Sequence, residues 1–146
     1  MIKEFAFYHG ASLAMLLHYG ADSLRIEQYP SSDNSSYVVN NTIGVYIKYS
    51  TKRMSPWHFF FENKHKTELV KMASKYRLVV VMLVCRDDGV VGLTLNEFEQ
   101  IAEISNDATQ WISITRRPRE KYSVKGTKGR LSYKIAMTDF CEKVLS

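Results

Sequence analysis

The stretch Tyr37-Val-Val-Asn-Asn-Thr-Ile-Gly-Val-Tyr-Ile-Lys48-Tyr-Ser-Thr-Lys-Arg-Met-Ser-Pro-Trp-His-Phe-Phe-Phe61 decides the fold. Two runs of β-branched and aromatic residues flank Asn40 to Gly44, which predicts a hairpin with a tight turn there. In its second strand Val45, Ile47 and Tyr49 point to one face, and Tyr46, Lys48 and Ser50 to the other. Lys48 therefore stands mid-strand between polar neighbours. Pro56 separates this strand from Trp57 to Phe61, read as a short aromatic strand of a core layer, with a ligand-stacking surface as the alternative.

Working outward, Glu4 to Tyr19 reads as a helix apolar over most of its circumference, packed on more than one side and ended by a left-handed Gly20. Leu24 to Tyr29 reads as a strand and Pro30 to Ser36 as a polar loop. Asn63 is placed to cap a helix over Lys64 to Tyr76, where Leu69, Met72, Ala73 and Tyr76 recur at helical spacing. Leu78 to Cys85 is continuously apolar and rich in valine, the pattern of a central strand covered on both faces. Asp87-Asp-Gly89 turns the chain into Val90 to Leu93. Thr94-Leu-Asn-Glu97 has capping-box spacing and opens a helix to about Ser105. Trp111 to Thr115 alternates as a strand, and Tyr122 to Ile135 reads as a hairpin around Gly126-Thr-Lys-Gly129.

These elements give the expected fold class: a single α/β domain over 1–146, with a mixed central sheet flanked by helices and an extra C-terminal strand hairpin. A core over 1–85 is followed by a helix and a basic strand ribbon over 86–146. The chain of 146 residues is long enough to bury a real core; 45% hydrophobic and 24% charged residues are ordinary for a globular protein, and only three prolines and seven glycines argue against a disordered chain. Cys85 and Cys141 have no metal spacing, so both read as thiols of a reducing cytoplasm, Cys85 in the core. Glu4, His9 and His18 interrupt the apolar N-terminal run, against a signal peptide. No stretch reaches the ~18 apolar residues of a membrane span, so no membrane partner is expected.

Helix, strand, hairpin, helix and buried strand resembles the core order of the PD-(D/E)XK nucleases, the restriction-endonuclease-like superfamily, over about residues 4–85. In that family an acidic residue on the second strand and an acidic-x-lysine triplet on the third hold Mg²⁺ and steady the attacking water. Here the triplet is Tyr46-Ile47-Lys48: the lysine matches and the carboxylate is a tyrosine. The other acidic position falls to Asp33 in the polar loop, with Asn40 and Asn41 near the strand end. A phenol and amides do not make the anionic oxygen cage Mg²⁺ prefers. The resemblance thus implies a non-catalytic nuclease-like domain without cofactor. An atypical Mg²⁺ nuclease would require Glu27, Asp33 and Lys48 to converge.

Charge is segregated along the chain, whose net charge is +5. Residues 86–110 carry six acidic side chains (Asp87, Asp88, Glu97, Glu99, Glu103, Asp107) against Arg86 alone. Residues 116–134 carry eight basic ones against Glu120 alone. DNA or RNA is the first partner this suggests, through Lys48, Lys52, Arg53, Arg116, Arg117, Arg119, Lys121, Lys125, Lys128 and Arg130, with Trp111, Tyr122 and Tyr133 interleaved. The alternative is a scaffold or homo-oligomer joined through the acidic and basic segments. Gly126-Thr-Lys-Gly129 faintly resembles the phosphate-binding GxxG loop of KH domains, but an ordinary glycine-bearing hairpin turn accounts for it better. His9 and His18, nine residues apart, lie on opposite helix faces and cannot share a metal. No zinc, Walker or nucleophile motif occurs.

Overall fold

Asn40 and Asn41 have φ values of 50° and 64°, the left-handed region that asparagine tolerates and a tight hairpin turn demands. Around this turn the computed structural model, which describes residues 1–20, 22–31 and 33–146, builds two sheets. Helix α1 (Glu4–Gly20) is followed by β1 (Ile26–Gln28), β2 (Ser36–Val39), β3 (Ile43–Ser50) and β4 (Trp57–Phe61). Then come α2 (Asn63–Lys75), β5 (Leu78–Cys85), β6 (Gly89–Thr94) and α3 (Leu95–Ile101). The chain ends with β7 (Gln110–Thr115), β8 (Ser123–Gly126), β9 (Gly129–Arg130) and α4 (Asp139–Leu145).

The first sheet has the order β1-β2-β3-β5-β6, and β3 with β5 is its one parallel pair. A parallel pair needs a crossover; β4 and α2 supply it. The second sheet, β4-β7-β8-β9, is antiparallel throughout. The alternation of β3 sorts its side chains as expected. Val45 and Ile47 pack with Leu16 of α1 and with Phe140 and Val144 of α4. Tyr46 packs on the opposite side with Leu69 and Met72 of α2, Phe61, Ile112 and Val124. Because that second core is shared by both sheets, the chain is one α/β domain, and residues 1–85 do not form a separable half.

Several expectations change. The helix over residues 4–19 packs on one side only: His9, Ser12 and Leu16 are buried, while Phe7, Met15, Leu17 and Tyr19 are exposed. Gly20 remains helical and has no positive φ. The residue before α2 is Glu62, not Asn63, and its N–H donates to Nδ1 of His65 at 2.9 Å. The capping box at Thr94 and Glu97 forms, but α3 stops at Ile101 rather than Ser105. The chain leaves the helix there because the fully buried Lys66 holds the following loop. Its Nζ donates to the carbonyls of Asn106 and Ala108, both at 2.7 Å. Lys66→Met is expected to cost about 1.5–3 kcal/mol, as for hydrogen bonds to a charged group. Denaturant unfolding would measure it, and amide exchange over residues 103–109 should quicken; unchanged exchange would refute the anchoring role.

Helix α4 has no counterpart in the sequence reading. Phe140, Cys141 and Val144 bury it against the first sheet. Both cysteines are free and buried, and burial pushes the Cys85 thiol far up and the Cys141 thiol to about 11. Among the described residues no helix is long and apolar enough to cross a membrane.

Candidate functional site

Strand β2 accompanies β3 only as far as Ser36 opposite Tyr46. Beyond that pair the Ile47 N–H reaches the Ser35 carbonyl at 2.9 Å, and among the described residues no strand pairs with the rest of β3 on that side. A cleft of about 500 Å³ opens there. Because it lies at a sheet edge, both faces contribute: Phe5 and His9 from α1, Lys48 and Tyr49 from β3, His58 and Phe60 from β4, His65 from α2, and Asp33 and Glu62 from the surrounding turns.

Lys48 is the half-buried cation of this cleft. Its Nζ stands 5.2 Å from the centre of the Phe61 ring, and among the described residues it has neither an ion pair nor a hydrogen bond. Burial pulls its ammonium below the ordinary lysine range, and Lys64 adds to this; Asp33 and Glu62 oppose it. Burial also lowers the pKa of His65, helped by the charge of Lys48. His9 is lowered by burial too, and its Nδ1 lies 2.9 Å from the Tyr37 hydroxyl. The cleft therefore holds one cation and three imidazoles beside two carboxylates.

The structure brings Asp33 and Lys48 into this cleft and leaves Glu27 out. Glu27 sits opposite Val38, which sits opposite Gly44, so it lies two strands from β3. It is also four residues short of Lys48 along the strand, a further ~13 Å. Its exposed carboxylate pairs with Arg25 at 2.9 Å. The three residues named for a metallonuclease do not converge. Tyr46, at the position of the missing carboxylate, is buried in the core, with burial raising its hydroxyl pKa. Among the described residues no three His, Cys, Asp or Glu side chains gather to hold a metal. The donor set does not fit Mg²⁺.

No family model matches the chain, and neither a curated protein nor a solved structure matches it.

The basic ribbon divides into two groups. Arg116 is anchored within the fold: its guanidinium forks onto Asp88 at 2.9 and 2.7 Å, and the Tyr122 hydroxyl donates to the same carboxylate at 2.6 Å. Lys128 pairs with Glu103 at 3.3 Å and donates to the Glu99 carbonyl, while Arg130 donates to Ser123. Acidic and basic segments thus pair within one chain, which accounts for part of their segregation. Arg117, Arg119, Lys121 and Lys125 remain exposed, as do Lys52 and Arg53 in the loop between β3 and β4. That loop, through Ser55, borders a second cleft of about 480 Å³ with Arg117 and Lys121.

Two other motifs turn inward. In Gly126-Thr-Lys-Gly129 the Thr127 N–H donates to the Trp111 carbonyl and the Lys128 N–H to the Ile101 carbonyl, so these amides are taken. Tyr122 is buried, and Tyr133 donates its hydroxyl to Glu97. His58, Glu62 and His65 line the cleft without having been expected at a site, the two histidines because they stand on different elements. Two signals were present: strict alternation through Trp57 to Phe61, which turns His58 outward, and the three-residue spacing of Glu62 and His65 at a helix start.

Proposed function

We propose that this chain binds nucleic acid without cleaving it, seating a backbone phosphate against Lys48. One observation carries the reading: a half-buried ammonium with no ion pair or hydrogen bond among the described residues, at a strand edge that none of them pairs, in a cleft wide enough for a ligand. An unpaired, partly desolvated cation is costly, and a phosphate would relieve that cost. The order α1, β1-β2-β3, α2, β5, interrupted by β4 of the other sheet and with its single parallel pair, supports a nuclease-like scaffold; the tyrosine at position 46 supports loss of catalysis. Lys52, Arg53, Arg117 and Lys121 add exposed positive charge alongside. The free buried thiols suit a reducing, cytoplasmic setting.

Anisotropy of labelled DNA and RNA across a salt series tests this. Affinity should fall linearly on a log–log plot as salt displaces the phosphate contacts. Lys48→Ala should weaken binding by about 1.5–3 kcal/mol, the worth of a hydrogen bond to a charged group. Affinity should also fall as pH rises, before an ordinary lysine at 10.5 would titrate, because the Lys48 pKa is lowered. It should rise on acidification below 6.5, where the depressed His65 begins to gain its charge. Binding indifferent to salt and to Lys48→Ala would refute the proposal.

A further inference from the structure

We propose that the outward face of the second sheet is a stacking track for single-stranded nucleic acid, continuous with the Lys48 cleft; this rests on the phosphate-binding reading. Along β4, Trp57, Phe59 and Phe61 are buried while His58 and Phe60 point out. Phe60 is 57% exposed. Its cross-strand partner is the half-buried Trp111, and His58 pairs with Ser113, which in turn pairs with Lys125 of β8. Directly opposed residues of antiparallel strands share a face. Phe60, Trp111, His58 and Lys125 are therefore sorted by register onto one side of the sheet.

These side chains line a hollow of about 420 Å³ together with Pro56 and Thr115. His58 and Phe60 also line the Lys48 cleft, and Thr115 also lines the cleft of Arg117 and Lys121. The three hollows share lining residues and follow one another as a path, with Lys48 beside Asp33 and Glu62 at one end, Arg117 and Lys121 at the other, and aromatic side chains between them. Glu120 at the far end is matched by Lys134 at 3.6 Å. Aromatic faces between phosphate-binding cations suit unpaired bases, each of which offers a π-face; in a duplex those faces are already stacked. A single strand fits the path better than a double helix does.

The test uses the full chain with labelled oligo-dT, oligo-rU and a blunt duplex. The expected result is tighter binding of the single strands. Phe60→Ala and Trp111→Ala should each weaken it roughly 5- to 150-fold, the range for losing one stacked base, with the salt slope unchanged. Trp57→Phe leaves Trp111 as the one tryptophan, and its emission should be quenched by oligo-dT. Phe60 is exposed, so Phe60→Ala keeps the test valid if Trp111→Ala lowers the melting temperature. Duplex binding equal to single-strand binding, with Phe60→Ala neutral, would overturn the track and leave the Lys48 reading standing. No salt-dependent binding of any probe would overturn the Lys48 reading, and the track with it. A concentration-dependent dimer dispersed by Phe60→Ala would overturn the track in favour of a second copy on this face.

Discussion

Glu97→Ala is expected to lower the folding free energy by about 3–5 kcal/mol, the range for breaking one partner out of a buried charged network. Glu97 is 8% exposed. Its Oε1 accepts from the Thr94 N–H at 2.9 Å and from Lys143 Nζ at 2.8 Å, and its Oε2 from the Tyr133 hydroxyl. One carboxylate thus joins the start of α3 to α4 and to the segment between β9 and α4. Alanine removes the cap, leaves the Lys143 charge with Asp139 at 2.5 Å as its remaining ion pair beside the Gly92 carbonyl, and takes away the partner of Tyr133. Burial alone would raise the Glu97 pKa, but the bonds from Lys143 and Tyr133 outweigh it and hold it below 4.5. A lowered folded pKa contributes stability that is present above 4.5 and lost as pH falls through the folded value. Asp88, held below 3.8 chiefly by the Arg116 hydrogen bonds, behaves likewise at lower pH. Denaturant unfolding of wild type and Glu97→Ala should therefore differ most near neutrality and converge in acid. A gap under 1 kcal/mol at pH 7, or one that does not change with pH, would contradict the network's role (an order-of-magnitude threshold, about one hydrogen bond).

Gly92→Ala should cost about 3 kcal/mol, at the upper end of the usual overpacking range. A Cβ on Gly92 would lie 2.5 Å from the Phe140 Cβ and 2.9 Å from its Cα. The obstacle is the helix backbone itself, so no rotamer change relieves it and α4 must move away from β6. The same shift would stretch the 2.7 Å bond from Lys143 Nζ to the Gly92 carbonyl. Gly129→Ala is the control, since nothing lies within 4 Å of its added carbon. Equal melting temperatures for the two variants would show that α4 is not seated as described.

The first sheet was legible because its signals are local. Period-two alternation marks β3, the asparagine pair marks the turn, and the valine run Leu78 to Cys85 marks a strand covered twice. Helix α4 was not, because Phe140, Cys141 and Val144 are three apolar residues in a short segment without a clear start signal. The buried Lys66 hides for another reason: a lysine on a helix reads as solvated, and only the tertiary fold brings the Asn106 and Ala108 carbonyls to it. In the site, Lys48 was found from its place in the strand. Its histidine neighbours come from α1, β4 and α2, and proximity across elements leaves no mark in the order of residues. The basic ribbon was visible as composition, yet which of its charges are free depends on partners such as Asp88 and Glu103 far away in the chain.

The second sheet is stitched from distant segments, for Phe61 meets Gln110 and Trp57 meets Ile114. During synthesis β4 emerges long before β7, so its inward aromatic side chains must wait while the first sheet assembles beside them. Such long-range pairing slows folding, and exposed aromatic strands are where nascent chains aggregate. Fragments ending before residue 110 would be released with that sheet unmade. Translation stalling or premature termination in that window would yield a sticky product rather than a smaller working domain.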